Sequence, residues 1–260
     1  MIIFAILFIL IGAFAGLLAG MLGIGGGMIT IPTLLFLFSY LSTDLDMHYA
    51  IGTSLAAMVF NTLASTSAHY RRQSIHAPTL MPMLPGALVG CIIGAYIAKF
   101  IPSELLKIAF GIFAIYIGIR FLKNSHVEIA KKPTPLPPIL NLFGLGIGLI
   151  SSLLGIGGGL ITVPLLSRYD IPMKKVIGTS SAFTLAVTCV GATSYLMFSN
   201  PPSSLEDTIG FVYLPAFIGI ALSSFPFAIL GVKLAHYLPT HLLKKIFGAV
   251  LVIAGAMMST

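Results

Sequence analysis

Apolar residues run along this chain in long blocks, separated by short polar gaps and broken by two glycine clusters. The blocks are too long and too uniform for the one-sided patterning of a soluble fold. In the first half they cover residues 2–40, 49–69, 80–100 and 105–122, and in the second 139–166, 176–198, 209–232 and 242–258. Blocks of about 20 apolar residues predict membrane-crossing helices, because that length matches a hydrocarbon core of roughly 30 Å. Glycines interrupt the first block of each half. Each of these blocks therefore predicts a broken helical hairpin, and three plain helices follow it.

The two halves are copies of one unit, and a fixed internal period organises the whole chain. Leu22-Gly23-Ile24-Gly25-Gly26-Gly27-Met28-Ile29-Thr30-Ile31-Pro32 returns 132 positions later as Leu154-Gly155-Ile156-Gly157-Gly158-Gly159-Leu160-Ile161-Thr162-Val163-Pro164, with apolar exchanges only. Ile51-Gly52-Thr53-Ser54 returns as Ile177-Gly178-Thr179-Ser180, and Ile101-Pro102 with Gly111 as Leu238-Pro239 with Gly248. Residues 1–122 and 139–260 are the two copies. Residues 123–138, with Lys131-Lys132-Pro133-Thr134-Pro135, read as an extended, exposed linker. The predicted fold is an all-α polytopic membrane protein of two repeats, each a Gly-interrupted hairpin followed by three transmembrane helices.

Charge sets the orientation. Only 8% of the 260 residues are charged, against about 25% in a soluble domain. The net charge of +7 does not describe a nucleic-acid surface, because Lys and Arg lie in gaps between apolar blocks rather than on one soluble face. If each Gly-rich hairpin returns to the side it entered from, and the Arg71-Arg72 gap is cytoplasmic, twelve of the fourteen basic residues face the cytoplasm. Three crossings then follow each hairpin, so the copies are inverted, the linker is cytoplasmic and both termini lie outside. Met1-Ile2-Ile3-Phe4 lacks a basic n-region, and no cleaved signal is expected.

The glycine clusters carry the candidate chemistry. After them, 14 residues (28–41) or 8 residues (160–167) remain, about 21 Å and 12 Å as helix and too short to cross. A break at membrane depth is tolerated only where protein or a water-filled cavity surrounds it, which in an inverted repeat places both tips near the midplane. Gly23, Gly25, Gly26 and Gly27, with Gly155, Gly157, Gly158 and Gly159, let a ligand approach the backbone. Each run opens a short helix whose free N–H groups favour an anion. Thr30 and Thr162 add first-turn hydroxyls. Glycines can equally serve tight helix packing, and that is the reading for Gly16, Gly20, Gly90 and Gly94. Neither cluster completes a P-loop or a dinucleotide fingerprint.

A second polar group follows the Gly-Thr-Ser motif: Thr53, Ser54, Asn61 and Ser65 in one copy, Thr179, Ser180 and Ser181 in the other. Hydroxyls in membrane helices often bond only to their own backbone. Asn61 cannot be satisfied so simply and has Val187 as its counterpart, so it is a candidate substrate ligand. His69 and Tyr70 next to Arg71 are an interfacial anchor or a proton-coupling gate. Cys91 and Cys189, with no metal-ligand spacing, are expected to be buried packing residues. Without an intramembrane acid or a His beside a nucleophile, no enzyme activity, metal or cofactor is expected.

On the paired GIGGG-x-[IL]-T-[IV]-P runs joined to [IV]-G-T-S, the chain resembles the TauE/SafE family of sulfite exporters over nearly its whole length. The resemblance implies an inner-membrane, multi-pass carrier of small sulfur-containing anions such as sulfite, thiosulfate or sulfoacetate. The family motif falls on residues 23–32 and 155–164, then 52–54 and 178–181. The expected partners are the anion and the lipid bilayer, with coupling to protons or to the membrane potential. An anion channel of the same build and a non-transporting scaffold subunit are the alternatives.

Overall fold

A computed structural model describes residues 2–40, 45–123, 133–199, 207–234 and 240–259. The chain is an all-α membrane protein of ten helices among the described residues: α1 (Ile2–Leu22), α2 (Gly27–Tyr40), α3 (Met47–Arg71), α4 (Ala77–Ala98), α5 (Ser103–Lys123), α6 (Pro137–Leu154), α7 (Gly159–Leu166), α8 (Met173–Met197), α9 (Leu214–Leu234) and α10 (Thr240–Ser259). Six of them, α1, α4, α5, α6, α8 and α9, are long and apolar enough to cross a bilayer. Large apolar side chains such as Ile3, Phe36 and Leu222 are turned outward. A lipid-facing surface requires this where a soluble one would not tolerate it.

Polar α3 is long enough to cross but sits in the middle, with 17 of its 25 residues buried. Its partner in the centre is α8. Each hairpin's first limb packs on the other copy: α1 lies along α9, and α6 along α4. Small residues make this possible. A Cβ on Gly16 would fall 2.3 Å from the Ser224 carbonyl oxygen, and one on Gly90 2.1 Å from that of Leu145, so bare backbone meets backbone at both seams.

The direction of the pairs follows from which residues meet. Thr62 reaches Thr188, and Ser65 reaches Ser181. Later positions on α3 thus oppose earlier ones on α8, and the two helices run antiparallel. Gly111 lies against Gly255, and Gly118 against Gly248, so α5 and α10 also run antiparallel.

Three details differ from the sequence reading. The third block of the second copy begins as a two-stranded hairpin, β1 (Thr208–Ile209) and β2 (Val212–Tyr213), before α9 opens at Leu214. Gly210, at φ +57°, makes that turn. Pro137 and Pro138 form the first turn of α6 rather than linker, as suits prolines whose missing N–H leaves no helical bond unmade. Linker residues 124–132 lie outside the described residues. Cys91 is buried as expected, but Cys189 is exposed. Thr184 and Thr188 take the inward stripe of α8, and one residue further the helix has turned Cys189 outward.

A charged latch holds the start of α3, ahead of its apolar run. Asp46 caps the helix by accepting from the His48 backbone N–H at 2.9 Å, and its other carboxylate oxygen lies 3.0 Å from His48 Nδ1. His48 Nε2 lies 3.0 Å from the Ala98 carbonyl oxygen at the end of α4. Both ring nitrogens face acceptors, so the ring makes both bonds only as the imidazolium. Burial opposes that charge, but the hydrogen bond and negative charge of Asp46 outweigh it and raise the His48 pKa above its ordinary value. Burial likewise pushes Asp46 up, yet the same partner leaves it below the usual carboxylate range. A raised histidine stabilises the fold fully below its unfolded pKa and loses that contribution as pH rises through the folded one. A depressed carboxylate behaves oppositely, losing its contribution as pH falls through its folded pKa.

The latch is therefore strongest in mildly acidic solution. Thermal unfolding in detergent should show the wild-type Tm falling between about pH 6 and about pH 8, with His48→Gln lower by about 2–4 °C at the acid end and flat across the range. Parallel pH profiles for the two proteins would rule the latch out.

Candidate functional site

Both glycine turns are tight for the same reason. Gly23, Gly25 and Gly26 have φ of +68°, +84° and +88°, and Gly155, Gly157 and Gly158 have +69°, +73° and +86°, a region that side-chain-bearing residues rarely adopt. The chain thus leaves α1, reverses, and opens α2 at Gly27; α6 and α7 repeat the move at Gly159.

The two tips meet. A Cβ on Gly27 would lie 2.4 Å from the Gly155 carbonyl oxygen, and one on Gly159 would lie 2.3 Å from that of Gly23. Each tip therefore lays a backbone carbonyl against the glycine that opens the other's short helix. In this conformation Gly27 and Gly159 serve contact between the tips, which the sequence cannot distinguish from approach to a ligand.

Helices α3 and α8 enclose the tips. Met58 and Thr184 occupy equivalent places, each the twelfth of 25 residues in its helix. Both line both turns: a Cβ on Gly25 would meet Thr184 Cγ2 at 2.9 Å and Met58 Sδ at 3.1 Å, and one on Gly157 the same two atoms at 2.9 Å and 3.3 Å. The tips thus lie at mid-length of both central helices. Asn61 Nδ2 donates to the Gly25 carbonyl at 3.0 Å. The Ser180 hydroxyl donates to that of Gly23 at 3.0 Å and lies 3.4 Å from that of Gly159, touching both tips. Below them Ser181 donates to Ser65 at 2.9 Å and lies 3.2 Å from the Thr66 hydroxyl.

Other candidates are committed elsewhere. Thr30 and Thr162 donate to the Gly26 and Gly158 carbonyls of their own first turns, the self-satisfied arrangement common to helical threonines. Thr53 accepts the Tyr213 N–H at 2.9 Å, and Thr179 the His76 N–H at 2.8 Å. Gly52 and Gly178 admit the loop carbonyls of Phe211 and Ser74 just beside them. In the Gly-Thr-Ser motif, glycine and threonine thus dock a loop of the other copy, the one entering α9 for α3 and the one entering α4 for α8, while in the second copy the serine reaches the tips. Tyr70 is exposed, His69 is buried, and His76 pairs with Thr79 Oγ1 at 2.7 Å while its backbone N–H docks on Thr179.

Several buried polar atoms near the tips make no hydrogen bond within the protein: Ser54 Oγ, Asn61 Oδ1, Ser151 Oγ, Ser152 Oγ and Thr184 Oγ1. Buried polar groups are nearly always paired, so a cluster of exceptions calls for a missing partner. Four of the five are hydroxyls able to donate. Sequence reasoning passed over Met58, Ser151 and Ser152. Aligning the copies offers a signal for the serines, which stand where the first copy has Ala19 and Gly20. A Cβ on Gly158 would lie 3.1 Å from Ser151 Oγ, which places that hydroxyl beside the second tip.

Comparison with known proteins agrees with this build. Residues 8–258 match the family model described as sulfite exporter TauE/SafE. A probable membrane transporter protein of Haemophilus influenzae is 32% identical over 257 residues, covering 96% of each chain. One of Methanocaldococcus jannaschii is 30% identical over 254 residues, covering 97% of this chain and 94% of its own. No solved structure matches. With the family match spanning both glycine tips and the helices that enclose them, this multi-pass membrane protein belongs to the TauE/SafE family of membrane transporters.

Proposed function

We propose that the protein is a secondary transporter of small sulfur-containing anions, of the sulfite, thiosulfate or organosulfonate type. It works by alternating access around a midplane site between the two glycine tips. The observation that carries the reading is the meeting of the tips at mid-length of α3 and α8, amid buried hydroxyls that lack a partner. Antiparallel crossing of α3 on α8, and of α5 on α10, supports an inverted pair of halves, the arrangement that lets one site face either side in turn. Neutral donors and helix N-termini suit an anion that must also leave, because they attract charge without fixing it as a buried Lys or Arg would. The sulfur chemistry of the substrate rests on the family description. With no nucleotide-binding motif in the chain, coupling to protons or to the membrane potential drives transport. The cytoplasmic placing of the linker rests on the distribution of Lys and Arg, and the inner membrane on the family resemblance alone.

Flux of radiolabelled sulfite, thiosulfate and sulfate into proteoliposomes, under imposed pH and voltage gradients, tests this directly. Saturable uptake of one anion, accelerated by counter-substrate, is the expected result. Flux that rises linearly with concentration would identify an anion channel. Folded protein passing none of these anions, nor an organosulfonate, would favour a non-transporting scaffold.

A further inference from the structure

The pseudo-symmetry of the two copies generates a pair of crevices behind the short hairpin limbs, and the two differ in charge. One, of about 530 Å³, lies between α2 and α10; the other, of about 250 Å³, lies between α7 and α5 with Ile150 of α6 at its side. The lining positions correspond through the repeat: Pro32 to Pro164, Phe36 to Arg168, Ile253 to Tyr116 and Met257 to Arg120. Where the first crevice carries Phe36 and Met257, the second carries two guanidinium groups.

Among the described residues, no carboxylate forms an ion pair with either arginine. Arg120 lies in the last turn of α5 and is half-buried, while Arg168 follows the end of α7 and is exposed. The wall between them is apolar, with Phe113, Ile117, Ile161 and Leu165 beside the ring of Tyr116. Two cations at the mouth of an apolar slot on the outer wall of a membrane protein match one kind of ligand. A phosphate diester can accept from both guanidinium forks while its acyl chain lies along the slot.

We infer that the crevice between α5, α6 and α7 binds one anionic phospholipid, with its phosphate between Arg120 and Arg168 and an acyl chain against Phe113, Ile150 and Leu165. The orientation proposed above puts this lipid in the cytoplasmic leaflet, whereas binding itself does not depend on transport. The short limb α7 carries the second glycine tip, so an occupied slot also braces that tip from the lipid side.

Native mass spectrometry of the purified protein, titrated with phosphatidylglycerol or with phosphatidylcholine of the same chains, tests the site. The wild type should retain one phosphatidylglycerol in preference to phosphatidylcholine, and Arg120→Gln combined with Arg168→Gln should bind that lipid about thirtyfold more weakly. Lys107→Gln, which removes the one basic residue lining the counterpart crevice, should bind like the wild type. Equal retention by the double variant would overturn the site. Displacement of the lipid by millimolar inorganic phosphate would reassign it to a soluble anion. Should the double variant fail to fold, photo-crosslinking of wild type to an anionic lipid decides, with adducts on α5 and α7 expected and adducts elsewhere contradicting the inference.

Discussion

Replacing Gly27 or Gly159 by alanine should leave the protein folded and inserted while cutting anion flux by about tenfold to a hundredfold. The reason is local. Neither residue has a positive φ, and each opens a helix, where alanine is the better helix former. The new methyl would press chiefly on the opposing tip: at Gly27 on the Gly155 carbonyl oxygen at 2.4 Å, with the flexible end of Met58 at 3.0 Å, and at Gly159 on the Gly23 carbonyl oxygen at 2.3 Å with Ile24 Cα at 2.6 Å. Backbone cannot rotate away as a side chain can, so the tips must separate. Overpacking of this kind costs roughly 1–3 kcal/mol, charged to the state in which the tips touch. If that state belongs to the transport cycle, turnover falls by the corresponding factor while helicity is kept and Tm falls by no more than several degrees. Wild-type flux in both variants would detach the tip contact from transport. Valine at Gly26 or Gly158 is a poorer probe, because φ of +88° and +86° there makes any β-branched residue strained wherever it points.

Asn61→Asp should abolish transport at neutral pH, by about a hundredfold or more, and recover part of it near pH 5. The amide nitrogen holds the Gly25 carbonyl at 3.0 Å, and the residue is 2% exposed. An ionised aspartate would lose that donor, face a carbonyl with like polarity, and set a negative charge beside a site argued to take anions. Desolvation favours the neutral acid, and the protonated form regains a donor of nearly the same shape. Acid should therefore restore the hydrogen bond and remove the repulsion together. Flux against pH in proteoliposomes, compared with Asn61→Leu, separates the two effects, since leucine loses the donor at every pH. If the aspartate variant transports normally at pH 8, Asn61 does not face the anion.

How much of the site could be read in advance depends on the range of the interaction involved. The glycine turns were legible because repeated positive-φ backbone demands glycine wherever it occurs, and that demand is local. The interior position of Asn61 was legible because a membrane helix cannot expose an amide to lipid. The roles of Thr53 and Thr179 were not, since each is fixed by an amide far along the chain, Tyr213 and His76 respectively. Met58 was invisible for a related reason: a methionine on an apolar helix carries no polar signal, and its place between both tips depends on how α3 crosses α8. Self-bonding of Thr30 and Thr162 was foreseeable in kind, but which threonines would adopt it was not.

By itself, the sequence determined that this chain lies in a membrane, that it is one unit used twice, and that each unit opens with a hairpin broken at its glycines. Those properties follow from transfer energies and backbone dihedrals, which act on each residue and its immediate neighbours. Only the tertiary structure decided that α1 packs on α9 and α6 on α4, that the tips close on each other's carbonyls, that Ser180 rather than Ser54 bonds them, and that one of two matching crevices carries paired arginines. Helical periodicity says which face of a helix is buried but not what covers it, and the cover depends on how bare glycine backbones let helices distant in sequence approach and cross.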